Sequence, residues 1–229
     1  MTSHAEPCVV LLPGLGADGR LFESQRAVFP GLVTPQWLSP APQEDLIGYA
    51  VRLAAKIPLA RPLVLGGSSS GGIIAYEMAR NLRPDVLVLI GSATSRREIP
   101  AYFRALASLS RAIPAAGFGL MHVVAPFVSA IFGAHEDVHR HLFVEMLQST
   151  SSEFLRWACT AIDGWKPQPL AGVPVFTIHG DKDHILPLGR RPVDVAVRGG
   201  GHLLALTHPL EVNEALGLVR ERFGSMNKT

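Results

Sequence analysis

Charge is scarce in this chain of 229 residues. Asp, Glu, Lys and Arg make up 17% of it, and their balance is only +2. A chain with 48% hydrophobic residues and so few charges is not disordered. A net charge this small leaves no electrostatic footprint for a nucleic-acid partner. Cysteine is scarcer still. Cys8 and Cys159 are too few for a disulfide framework, and each sits in an apolar run. Both read as reduced core residues, not as a redox pair. Met1–Pro7 has no basic region followed by an apolar stretch, so no leader is expected and the cytoplasm is the expected location. One stretch lacks charge altogether: Ala112–Ala134 is 23 residues without Asp, Glu, Lys or Arg. Its length would suit a bilayer span. Pro114, Pro126, Gly117, Gly119, Gly133 and His122 interrupt it, so it reads as a buried or cavity-lining segment instead.

What is present alternates between two periods. Short apolar runs at Cys8–Leu12, Val33–Leu38, Leu63–Gly67, Val86–Ile90, Val173–Ile178 and Val193–Val197 read as strands buried on both faces. Helical patterns separate them. Glu44–Lys56 carries Leu46, Ile47, Ala50, Leu53 and Ala54 on one face. Ile73–Leu82 follows the third run, and Pro209–Phe223 closes the chain with Pro209 at a favoured first helical position. This alternation predicts an α/β fold in which a parallel sheet is covered by helices on both faces. The length suits one domain, residues 1–229. From Ser95 to Lys166 the strand rhythm stops and helical character takes over. Residues 95–167 therefore read as an insertion after the fourth predicted strand.

Gly67-Ser68-Ser69-Ser70-Gly71 is G-x-S-x-G between a strand and a helix. A serine held above a sheet edge needs a very tight turn. Small residues two positions before and after it let the strand and helix backbones approach. Of the three serines only Ser69 has glycine at both positions. A nucleophilic serine needs a base, and the base an orienting acid. Two other motifs compete for attention. Gly14-Leu15-Gly16-Ala17-Asp18-Gly19 is G-x-G-x-x-G after a strand, but no Asp or Glu lies between Glu23 and Glu44 to meet a ribose. Nor does a Lys-Ser/Thr pair follow Gly66–Gly72, as a P-loop requires. His135-Glu136-Asp137-Val138-His139 is H-E-x-x-H. Asp137 within it, Leu142 beyond it and the poor spacing of Glu145 and Glu153 make it a solvated face, not a metal site.

The elbow and two later loops resemble the α/β-hydrolase superfamily, nearly along the whole chain. Members carry Ser, acid and His in that order. His179-Gly180-Asp181-Lys182-Asp183-His184-Ile185-Leu186-Pro187 resembles the family's acid loop, and the acid followed by an apolar pair and Pro falls on Asp183. Asp181 is the competitor, read as shaping the turn. Arg198-Gly199-Gly200-Gly201-His202 matches the family's histidine at His202. His184 reads as solvated or at a cavity rim, His179 as a structural histidine at a strand end, and His208 as a helix-start residue. The resemblance implies a catalytic Ser69, Asp183 and His202, with an oxyanion hole from the backbone N–H groups of Leu15 and Ser70. Pro13 stands where many members have His. The donor is a backbone group, so that change leaves it in place.

The family resemblance also implies a three-layer fold of about six mostly parallel strands, without the antiparallel strands that usually open the sheet. Residues 95–167 resemble its helical cap. Phe118, Met121, Phe127, Phe143 and Met146 are the expected lining of an apolar substrate pocket above Ser69. Arg96, Arg97, Arg104, Arg111, Arg140 and Arg156 read as mostly solvated, with one or two left open as partners of an acidic substrate group. The implied activity is hydrolysis of a small carboxylic ester with an apolar acyl or alkyl part. It needs no metal or organic cofactor and no transmembrane span. Serine at the elbow argues against dehalogenases and epoxide hydrolases of this fold, which use Asp there. Thioesterase, lactonase, C–C hydrolase, acyltransferase and cofactor-free haloperoxidase chemistry remain open on the same triad, as does a ligand-binding protein without turnover. The oligomeric state is not legible.

Overall fold

A computed structural model describes residues 7–57, 60–189 and 191–224. The segment read for a leader, residues 1–6, lies outside them. Five strands form one wholly parallel sheet: β1 (Cys8–Leu12), β2 (Leu63–Ser68), β3 (Val86–Ile90), β4 (Val175–Gly180) and β5 (Val195–Val197), side by side in that order. The two-residue period of a strand divides its side chains between two cores. Val9, Leu11, Val64, Val88 and Ile90 face α1 (Glu23–Val28), α8 (Leu204–Thr207) and α9 (Pro209–Gly224). Val10, Leu12, Leu65, Leu87 and Leu89 face α2 (Leu46–Ala54) and α3 (Ser70–Leu82). Both faces are dry, which is why these strands read as continuous apolar runs and not as alternating ones.

The sixth strand expected at Val33–Leu38 is absent among the described residues. Val33 alone bridges to Val10. It accepts from Leu11 at 3.0 Å and donates to Val9 at 2.8 Å, on the edge of β1 opposite β2. Pro35 follows two residues later and has no N–H to carry a ladder further. The single bridge still fixes the topology. After β1 the chain goes to one side, and after α2 it returns to pair on the other. That reversal opens a crevice at the carboxyl ends of β1 and β2, where open α/β sheets place their ligands.

Between β3 and β4 the described elements are helical: α4 (Ala101–Leu109), α5 (Leu120–Val128), α6 (Asp137–Ser149) and α7 (Ser152–Gly164), joined by short 3₁₀ turns. Indole donors tie this segment to the second core. Trp157 donates to the Glu44 carbonyl at 2.7 Å, and Trp165 to the buried carboxylate of Glu77 at 2.8 Å. Arg96 and Arg111 converge on the buried Asp163 at 2.8 and 2.9 Å. No described helix is long and apolar enough to cross a membrane.

Backbone packing at the carboxyl end of β2 sets the tightest tolerance in the fold. A Cβ on Gly67 would lie 2.5 Å from the carbonyl carbon of Gly71. A Cβ on Gly71 would overlap the carbonyl oxygens of Pro13 and Leu12. Gly217 in α9 is the opposite case, with nothing within 4 Å of its would-be Cβ. Gly67→Ala is therefore expected to lower unfolding free energy by about 2 kcal/mol or more through overpacking. Gly217→Ala should raise it by about 0.5–1 kcal/mol through helix propensity alone. Urea denaturation midpoints of the two variants check both signs.

Candidate active site

Ser69 sits between β2 and α3 with φ 52° and ψ −125°, a backbone conformation that costs a non-glycine residue about 1–3 kcal/mol. Its surroundings enforce the turn. The Ser69 N–H donates to the Ile90 carbonyl at 2.9 Å, and the Ser92 hydroxyl donates to the Ser69 carbonyl at 2.6 Å. The glycines at 67 and 71 allow the close approach described above. The hydroxyl is thereby carried out of the sheet into the crevice.

Two loops meet it there. His202, buried after β5, has Nε2 2.8 Å from the Ser69 hydroxyl oxygen and Nδ1 2.8 Å from Oδ2 of Asp183. With the carboxylate accepting at Nδ1–H, the imidazole proton lies on Nδ1 and Nε2 accepts from the serine. Asp183 is buried after β4, and its Oδ1 accepts from the N–H groups of Ile185 and Leu186, each at 2.8 Å. Burial pushes this carboxyl up. Hydrogen bonds from His179 and His202, the charge of His202 and the Leu186 N–H outweigh burial and hold it well below the usual carboxylate range.

The competing residues fall elsewhere. Asp181 accepts from the Gly199 N–H at 2.7 Å and so fastens the turn between the two loops. His184 is exposed, and His208 directly precedes α9. His135 and Glu136 lie ahead of the first residue of α6, so the two histidines of the H-E-x-x-H motif do not share a helical face. Among the described residues no group of His, Cys, Asp and Glu is arranged to hold a metal ion. Leu15 lies in the loop after β1, beside Gly14, whose would-be Cβ is 3.3 Å from that of Ser69. Ser70 opens α3, where a first-turn N–H has no intrahelical acceptor. Leu15 and Ser70 line the same cavity as Ser69.

That cavity holds about 380 Å³ between the carboxyl ends of the strands and the helices of residues 95–167. Its walls are apolar, among them Leu15, Ile73, Phe103, Met121, Phe132, Phe143, Leu147, Leu155 and Ile162. Among the described residues no Asp, Glu, Lys or Arg lines it. Of the five apolar residues singled out in the sequence, Met121 and Phe143 line this cavity and Phe118, Phe127 and Met146 do not. Phe127 is 79% exposed and outside the cavity. Helix α5 turns Met121, Ala125 and Val128 inward, which puts Leu120, Val123 and Phe127 on its outer side. Phe118 and Met146 are buried in the first core instead of the cavity wall. The arginines of the insertion also stay out: Arg96 and Arg111 pair with Asp163, Arg140 with Asp137, and Arg156 donates to the Ile113 carbonyl. Cys159 lines the cavity, with its thiol pushed up to about 11 by burial.

Three contributors escaped the sequence reading. Ser92 pins the elbow, Phe132 sets its ring edge-on to His202 at 5.6 Å, and His179 reaches Asp183. His179 left a trace in the sequence as a histidine at a strand end, and Phe132 as one of the bulky apolar residues of the helical segment; Ser92 left none.

A model of the alpha/beta hydrolase family matches residues 9–215. The chain belongs to the alpha/beta hydrolase family. Solved structures carry the same fold across this chain. A thermophilic esterase from Thermogutta terrifontis, solved with malate bound, aligns at TM-score 0.76 and 19% identity, over 98% of this chain and 92% of that one. A bromoperoxidase from Bacillus anthracis aligns at 0.67 and 18%, over 96% and 93%. An N-acyl homoserine lactonase complexed with N-hexanoyl homoserine aligns at 0.72 and 13%, over 100% and 93%. No curated protein sequence matches the chain.

As an alpha/beta hydrolase with a depressed buried carboxylate, the protein carries a pH signature in its stability. A lowered folded-state pKa stabilises above the unfolded value of about 3.9. That contribution is lost as pH falls from there through the folded value. Urea unfolding at a series of pH values below about 5 should show this loss in the wild type, and a shallower dependence in Asp183→Asn.

Proposed function

We propose that the protein is a serine hydrolase that cleaves a small, uncharged carboxylic ester with an apolar acyl or alkyl part. One observation carries this reading. A continuous hydrogen-bonded run leads from Asp183 through His202 to Ser69, and Ser69 opens onto a cavity with no Asp, Glu, Lys or Arg in its lining. In this mechanism the Ser69 hydroxyl attacks the ester carbonyl while His202 Nε2 takes its proton. Asp183 keeps the imidazole in the right tautomer and offsets the imidazolium charge. The tetrahedral oxygen accepts from the N–H groups of Leu15 and Ser70, each donor being worth ~3 kcal/mol in the transition state. Collapse expels the alcohol, which leaves with the proton from His202. Water then repeats the sequence on the acyl-enzyme and releases the acid. Residues 95–167 act as the cap, and their apolar side chains hold the part of the substrate that does not react.

A fluorophosphonate probe followed by peptide mapping tests the nucleophile. The expected label falls on Ser69, vanishes in Ser69→Ala and drops steeply in His202→Ala. A folded protein that takes no label would overturn the reading in favour of ligand binding without turnover.

A series of p-nitrophenyl esters tests the cavity. Each methylene buried is worth about 0.8 kcal/mol, so kcat/KM should rise about fourfold per carbon until the cavity is full. Leu155→Trp should move the optimum to shorter chains. Phe127→Ala should leave it in place, because that side chain lies outside the wall. A flat profile across chain length would sink the pocket assignment.

A further inference from the structure

One buried titratable side chain is not used by this mechanism. His179 is the penultimate residue of β4, is 2% exposed and lies just ahead of the acid loop. Arg191 Nη2 donates to its Nδ1 at 2.8 Å. A guanidinium has only donors, so Nδ1 must accept and the ring proton must lie on Nε2. That Nε2–H donates to the Leu186 carbonyl at 2.7 Å and lies 3.3 Å from Oδ2 of Asp183. Arg191 is held in turn by the carboxylate of Glu98. Glu98 is fixed by the hydroxyls of Thr94 at 2.7 Å and Ser95 at 2.9 Å, where the chain leaves β3 for the insertion. Burial pushes Glu98 up, but these donors, the Thr94 N–H and Arg191 hold it below its ordinary range.

We infer that His179 is a positioning residue: locked in one tautomer by Arg191 and Glu98, it holds the Leu186 carbonyl and keeps its polar Nε2–H edge against Oδ2 of Asp183. The inference rests on the triad reading above. Asp183 has two backbone donors on Oδ1 and the His202 ring donor on Oδ2, and the edge of His179 that carries Nε2–H stands 3.3 Å from that same Oδ2. The same Nε2–H holds Leu186, whose own N–H donates to Asp183, and so closes the turn on itself. The charged and titratable groups facing this run are Asp183 and His202 from the loops after β4 and β5, Arg191 from the loop before β5, and Glu98 from the start of the insertion.

The test is the pH dependence of ester turnover in His179→Phe, His179→Gln, Arg191→Ala and Ser69→Ala. Phenylalanine keeps the ring and removes both nitrogens. Asp183 then turns more of its charge to the imidazolium, and the protonated, inactive form of His202 persists to higher pH. The expected result is a kcat about tenfold lower, an unchanged KM and an acid limb moved to higher pH. Glutamine, which keeps a donor at the Nε2 position, should recover most of both. Arg191→Ala should move the acid limb in the same direction, and it keeps the test open if His179→Phe fails to fold. Nitrogen NMR of the wild type should find the His179 proton on Nε2. A proton on Nδ1, or an acid limb unmoved in His179→Phe or Arg191→Ala, overturns the inference. Turnover that survives Ser69→Ala overturns the triad reading itself, whatever His179 does.

Discussion

The site depends on a contact between backbones. At the carboxyl end of β2, Gly67 and Gly71 lie so close that neither has room for a methyl group, and Gly71 presses on the carbonyls that end β1. This approach brings the loop carrying Leu15 against the elbow carrying Ser69. It also forces Ser69 to positive φ, a strained conformation that the Ile90 carbonyl and the Ser92 hydroxyl hold in place. A hydroxyl on a relaxed turn would lie along the strand. Here the strain lifts it into the crevice made by the reversal of strand order around β1.

Around that hydroxyl the molecule keeps charge and cavity apart. The single carboxylate at the site, Asp183, lies behind His202 and has hydrogen-bond donors on both oxygens. The cavity on the other side of Ser69 is walled by hydrocarbon. Low dielectric there strengthens any dipole aimed into it, and an uncompensated charge would be costly in the same place. The arginines of the insertion fit this division. Arg96, Arg111, Arg140 and Arg156 pair with acidic partners or a carbonyl, and none of them lines the cavity.

The insertion is coupled to the site at its root as well as its roof. Glu98 and Arg191 connect its first turn to His179, and Tyr102 donates to the His184 carbonyl in the acid loop at 2.6 Å. The segment that shapes the cavity and the loop that carries the acid therefore share hydrogen bonds. A displacement of the one is felt by the other.

Much of this was legible without coordinates, for reasons local in the chain. Strands buried on both faces show as apolar runs, so five of the six expected runs, Cys8–Leu12, Leu63–Gly67, Val86–Ile90, Val173–Ile178 and Val193–Val197, became strands within two residues of their expected ends. The elbow was legible because its steric demand is met by residues two positions away. Asp183 and His202 were singled out by the resemblance of their loops to those of the family. Other features were decided only by tertiary packing. Val33–Leu38 kept one bridge because Pro35 ends its ladder. Residues 120–128 are apolar on every side but His122, so no polar residue marked the outer face, and only the neighbours of α5 turned Met121 inward and Phe127 out. His179 acquired its partners from residues 183–186 and 191, and Arg191 is itself held by Glu98, 93 residues away. A pattern of period two or a motif of five residues is read from neighbours in the chain. A helix face or a hydrogen-bond partner a hundred residues away is chosen by what packs against it.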